Sequence, residues 1–257
     1  MKITFGLSGE PRGAPLSIKR LSQILNNTST ARISNINLIR HSWLSSNSKR
    51  NQLIFKSFQS EQETKFIRTN NFFISQIDKE NEKISYIVMK PKVILCDFIH
   101  KNINTNVVVL SRNDYFWQDN IIDLCLRSFE TQKILIPKKE QQVVNDKIEA
   151  LNDQLLIAPV NMIYKLSKAI DKSIQLQPDS WPENCLANVF QIEKDLPYDL
   201  IEIKTEFSRD RWGSERHNLI RKDIKKWDTL NDVDYGRFGY FRHKLSHLKK
   251  IINTKKK

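Results

Sequence analysis

Two apolar runs in this chain end on side chains that can do chemistry. KITFGL (residues 2–7) runs into SGEPRG, which holds Ser8, Gly9 and Arg12, and VVVL (107–110) runs into SRND, which holds Arg112 and Asp114. In open parallel sheets, ligands bind beyond the carboxyl ends of the strands, so both segments are placed to face one crevice. A carboxylate there can hold Mg2+ or Mn2+, and a guanidinium can grip phosphate oxygens with two parallel donors. A solvated turn closed by a local salt bridge is the competing reading of SRND. Asp153, in LNDQLLIA (151–158), stands just before another apolar run. Its carboxylate can accept from a polyol or take a proton from a hydroxyl, or, with Asn152, cap the preceding turn. Glu183 follows Pro182 at an expected helix start, where a carboxylate also suits the helix dipole.

These residues need elements to position them. KITFGL reads as a strand, SGEPRG as a turn, and PLSIKRLSQILNN as a helix, because Leu16, Lys19, Leu21, Ile24 and Leu25 fall at helical spacing. NINLIRHSW (35–43) is a second strand. Residues 51–82 stay ambiguous. A buried stripe from Ile84 to Ile99 predicts a helix that Pro91 must start or kink. VVVL is a β-branched run suited to a central parallel strand. KILIP and LLIAP predict two more strands, and KKEQQVVNDKIEALNDQ a loop over one face. NMIYKLSKAI predicts a helix with Asn161 near its start, and SWPENCLANVFQ one that begins near Pro182. YDLIEIKTEF is a late strand, central or edge. The sum is a single α/β domain.

Composition limits what such a domain can be. At 257 residues with 39% hydrophobic content, the chain can bury a large core. No GxGxxG and no GxxxxGK[ST] is present, which removes the common dinucleotide and P-loop readings. Cys96, Cys125 and Cys185 form no CxxC pair and read as reduced, buried residues of a cytoplasmic protein. No run reaches the roughly 18 apolar residues that span a bilayer, so any membrane contact is expected to be peripheral, at the inner face.

The segments SGEPRG, LIRHSW, VVVLSRNDYF, LNDQLLIAPVNMIYKL and WPENCL, in that order, resemble a group of bacterial-type glycosyltransferases that build lipopolysaccharide, capsule and other surface glycans. That pattern is a strand into SGxxR, a hydrophobic-His-x-Trp segment, RxD after a strand, an NDQ strand with a Met-x-x-Tyr helix, and a Pro-Glu pair. The similarity covers most of residues 1–205. It implies a GT-A-like fold, a mostly parallel Rossmann-type sheet flanked by helices, that uses a nucleotide-sugar donor and a glycan or lipid-linked acceptor. Ser8, Gly9 and Arg12 would then lie near the nucleotide, and Arg112 and Asp114 would replace the usual DxD motif. Asp114 would contact the donor phosphates or a Mn2+ or Mg2+ ion. Asp153 would face the transferred sugar or acceptor as first choice for the base, with Glu183 in the acceptor pocket as second. Two departures stand out: the stretch between the Trp motif and RxD is compressed, and Arg112 stands where the metal motif has its first carboxylate. His41 and Trp43 match the family segment and read as packing residues.

The formal charge of +13 favours an anionic partner. Residues 237–257 carry eight basic and no acidic side chains, so residues 206–257 read as a basic, partly helical extension. Beside anionic headgroups each Lys or Arg contributes roughly 1 kcal/mol, and Phe238, Tyr240, Phe241, Leu245 and Leu248 add apolar area; a solvated end is the other reading. Two rivals remain. A nucleic-acid-binding protein would show salt-steep affinity for generic DNA or RNA, although no zinc finger, RNP-like strand or helix-turn-helix pattern is visible. A nucleotidyltransferase would release pyrophosphate from a nucleoside triphosphate.

Overall fold

The computed structural model describes residues 1–9, 14–27, 33–44, 51–52, 67–76, 83–115, 117–138, 142–144 and 147–203. Arg12 and the basic segment 206–257 lie outside these residues. The elements are β1 (Lys2–Ser8), α1 (Ala14–Asn27), β2 (Asn35–Leu44), β3 (Ile67–Gln76), α2 (Ile84–Asn102), β4 (Val107–Arg112), α3 (Ile121–Thr131), β5 (Ile134–Pro137), β6 (Gln142–Val144), β7 (Lys147–Ala150), β8 (Leu155–Pro159), α4 (Ile163–Leu176), α5 (Pro182–Ile192) and β9 (Tyr198–Ile201).

Seven strands form one sheet in the order β3-β2-β1-β4-β8-β5-β9. The pairs β1/β2, β1/β4, β2/β3 and β5/β9 are parallel, whereas β8 runs antiparallel to both β4 and β5. The expected mostly parallel, Rossmann-type α/β sheet is therefore present, and VVVL is central in it, with a parallel neighbour on one side only. Strand order reverses at β1, since β2 and β3 extend one way from it and β4 the other.

Because side chains alternate along a strand, each central strand feeds two cores. Val107 and Val109 face the layer that contains Leu21, Leu25, Ile121 and Trp117, while Val108 and Leu110 face Met89, Leu95, Ile99, Leu166 and Leu186. The sheet is thus covered on both faces, which is why its central strands read as unbroken apolar runs.

Three local findings sharpen the sequence reading. The segment expected as a loop after KILIP contains the two-stranded antiparallel β6/β7 sheet. Asn161 lies in a 3-10 turn ahead of α4 and donates to Gln132 Oε1 at 2.9 Å, so it does not cap that helix. Pro91 neither starts nor ends α2 but sits inside it. Proline removes the hydrogen bond to the carbonyl four residues back, here that of Ile87, and Trp43 Nε1 donates to this carbonyl at 2.8 Å.

Candidate active site at the carboxyl ends of β1 and β4

The point where strand order reverses opens a crevice beyond the carboxyl ends of the diverging strands. Here Ser8 pairs with Arg112 on one side and His41 on the other. Ser8 Oγ donates to Ser111 O at 3.3 Å, and Asn113 N donates to Ser8 O at 2.9 Å. Gly9 follows with φ of +95°, a left-handed conformation that favours glycine, and a Cβ there would meet nothing within 4 Å.

Asn113, which the sequence reading left without a role, ties these ends together. Its Nδ2 donates to Gly9 O at 2.6 Å and to His41 O at 3.2 Å, so one buried amide links the ends of β1, β2 and β4. Among the described residues its Oδ1 has no partner.

Arg112 Nε and Nη2 donate to Asp114 Oδ1 and Oδ2 at 2.9 and 3.3 Å. The Arg112 side chain keeps 33% of its exposure while Asp114 keeps 1%. The salt-bridged turn is therefore present, with two of the five guanidinium donors serving Asp114 while the Arg112 side chain stays partly exposed. The same pair bears on a divalent ion. Both Asp114 oxygens already accept from Arg112, so Mg2+ or Mn2+ would have to displace a guanidinium, and the arrangement does not fit an ion as it stands. Among the described residues no three His, Cys, Asp or Glu side chains converge.

The aromatic residues after the turn fix its exit. Ser17 Oγ, on α1, donates to Tyr115 O at 2.7 Å and accepts from Trp117 Nε1 at 2.9 Å. Trp117 is fully buried and meets Phe5 edge-on at 5.2 Å and Tyr115 at 4.9 Å.

Asp153 approaches from the far side of β4. Ser111 pairs with Leu155 in the antiparallel β4/β8 ladder, and Ser111 Oγ donates to Gln154 O at 2.7 Å, which brings residues 152–154 to the end where Arg112 and Asn113 stand. The turn-capping role falls to Asn152 alone, whose Oδ1 accepts from Gln154 N at 2.9 Å. Asp153 instead faces Lys92 Nζ at 3.6 Å, with side-chain exposures of 8% and 1%. Lys92 is the largest omission of the sequence reading. Its signal was present: it falls in step with Met89, Cys96 and Ile99 on the buried face of α2.

Glu183 is the second residue of α5, behind Pro182 at its first turn. Its carbonyl accepts from Leu151 N at 3.0 Å, so the start of α5 docks two residues from Asp153. Cys185, on the same helix, exchanges hydrogen bonds with Ser173. Burial pushes its thiol up, and the opposing fields of Lys92 and Asp153 both reach it. All three cysteines are buried and free.

His41 and Trp43 are buried with rings edge-on at 4.8 Å. Burial lowers the His41 pKa from 6.5 to about 4. The unfolded chain therefore binds the extra proton first, and stability conferred by the neutral imidazole is lost as pH falls from 6.5 toward 4. Urea unfolding is expected to show wild type losing about 2 kcal/mol more than His41→Gln between pH 7 and pH 5; equal losses would contradict the assignment.

Ser8, Gly9, Arg112 and Asp114 are thus gathered at one edge, with Asp153 on the β8 side of the β4 end. No helix among the described residues is long and apolar enough to cross a membrane.

No family model and no curated protein matches this sequence. Among solved structures, the apo form of mouse xyloside xylosyltransferase 1 is similar over 78% of this chain and 85% of that one, at 11% identity and a TM-score of 0.42. A likeness of that degree bears on neither substrate nor mechanism, and the fold rests on the strand order above.

Proposed function

We propose that the chain is a glycosyltransferase that moves a sugar from a nucleotide-sugar donor to a glycan or lipid-linked glycan acceptor. One observation carries the reading: a partly exposed arginine ends β4 beside the point where strand order reverses, and on the β8 side of the same strand end stands a buried carboxylate that, among the described residues, accepts no hydrogen bond. The ordered resemblance of the motifs to surface-polysaccharide enzymes supports the finer assignment to such a synthesis. The basic segment 237–257 suits an acceptor held at an anionic membrane surface.

Glycosyl transfer breaks the bond between the anomeric carbon and the donor phosphate, so negative charge develops on the leaving diphosphate. A cation aimed there stabilises the transition state more than the ground state. Arg112 is the assigned cation, kept in place by Asp114. Ser8 and Gly9 line the nucleotide side, where the absence of a Cβ lets the ligand approach the backbone. Asp153 takes the proton from the attacking hydroxyl in an inverting reaction. Glu183 belongs to the acceptor side.

The test is product chemistry. Phosphorus NMR is expected to show a nucleoside phosphate released from a sugar nucleotide, with kcat/KM about 100-fold lower in Arg112→Ala. Pyrophosphate released from a nucleoside triphosphate, with sugar nucleotides left intact, would overturn the reading in favour of nucleotidyl transfer.

A further inference from the structure

We propose that Lys92 is a positioning residue of this site: its ammonium fixes where the Asp153 carboxylate stands and balances its charge, without entering the reaction. The inference rests on the sugar-transfer reading above.

A lysine that is 1% exposed is rare, and an ammonium is tolerated in such a place only when a counter-charge compensates it. Two contacts do so here. Lys92 Nζ donates to Val88 O at 3.3 Å and stands 3.6 Å from Asp153 Oδ2. The second distance is an ion pair without a hydrogen bond. Among the described residues neither Asp153 oxygen accepts a hydrogen bond, so the buried carboxylate is held by the field of one cation while its acceptor sites stay open to a hydroxyl. A carboxylate intended only for packing would instead be saturated with donors.

The route by which Lys92 arrives gives the His-x-Trp segment a purpose. Pro91 stands inside α2 immediately before Lys92, and the carbonyl it leaves without its usual donor, that of Ile87, is taken by the Trp43 indole at the carboxyl end of β2. β2 thereby pins α2 at the turn that carries Lys92. The sheet edge sets the helix, the helix sets the ammonium, and the ammonium sets Asp153.

A cycle of Lys92→Met, Asp153→Asn and the double variant, made in the full chain, tests this. Each single change leaves a buried group without its counterpart, so the melting temperature is expected to fall by roughly 6–15 °C, and the neutral double variant to regain most of that loss. Activity is expected to behave differently. Lys92→Met should lower kcat about 100-fold through misplacement of the carboxylate while donor KM changes little, and the double variant should be no slower than Asp153→Asn. Retention of wild-type kcat by Lys92→Met, or kcat losses that multiply in the double variant, would overturn the proposal. Should wild type turn over no sugar nucleotide, the transfer reading fails, yet the melting temperatures still decide the pairing: additive losses would show that Lys92 does not act on Asp153.

Discussion

Asp153→Asn is expected to lower kcat for sugar transfer by about 1,000-fold, the range typical of losing a positioned base. The substitution preserves shape and removes the carboxylate charge that faces Lys92 Nζ at 3.6 Å. It therefore has a second consequence, since breaking a buried ion pair by deleting one partner costs about 3–5 kcal/mol. Urea unfolding and steady-state kinetics on the same preparation separate the two effects, because turnover can be measured where the variant is still folded. Glu183→Gln serves as the comparison. Glu183 lies at the start of α5 with its backbone on Leu151, and its change is expected to slow transfer less than Asp153→Asn does. The reverse ranking would move the base from Asp153 to Glu183.

Trp117→Ala is expected to destabilise the chain by about 3–5 kcal/mol, the usual cost of emptying a fully buried aromatic site. Its ring packs against Phe5 and Tyr115, and its indole N–H donates to Ser17 Oγ, which itself donates to Tyr115 O. The residue thus anchors the exit of the Arg112–Asp114 turn to β1 and α1 together. Trp117→Phe restores much of the ring while leaving Ser17 without that donor, so it should recover most of the stability. A loss of less than about 1 kcal/mol in Trp117→Ala, the level of an ordinary substitution, would show that the turn is held some other way.

How far the sequence alone reached depended on the range of the interaction involved. VVVL and LLIAP announce themselves as strands because both faces of the sheet are covered, and Pro182 marks the start of α5 because its missing N–H costs nothing at a first turn. Strand direction leaves no such trace. A run of apolar residues is equally suited to either orientation, so the antiparallel placement of β8 between β4 and β5 followed only from the fold. The candidate site divides along the same line. Arg112 and Asp114 are two residues apart and visible as a pair, whereas Asp153 and Lys92 lie on different elements and meet only after the chain has folded. Asn113 was in plain view within SRND, but its links to Gly9 and His41 join three strand ends that sequence spacing does not bring together. Lys92 was hidden by its surroundings: a lysine in step with Met89 and Cys96 looks like a flaw in an apolar stripe until its carboxylate is found.

The central claim is that the edge formed by Ser8, Gly9 and Arg112–Asp114 binds a nucleotide sugar. The most direct measurement is ligand-observed NMR of UDP, GDP, CDP and their sugar conjugates with the purified chain, with and without Mn2+, in wild type and Arg112→Ala. The account predicts that one nucleotide class binds selectively and that the signal is lost or strongly weakened in the variant. A folded wild-type chain that binds none of the panel, or that binds equally well without Arg112, would contradict it.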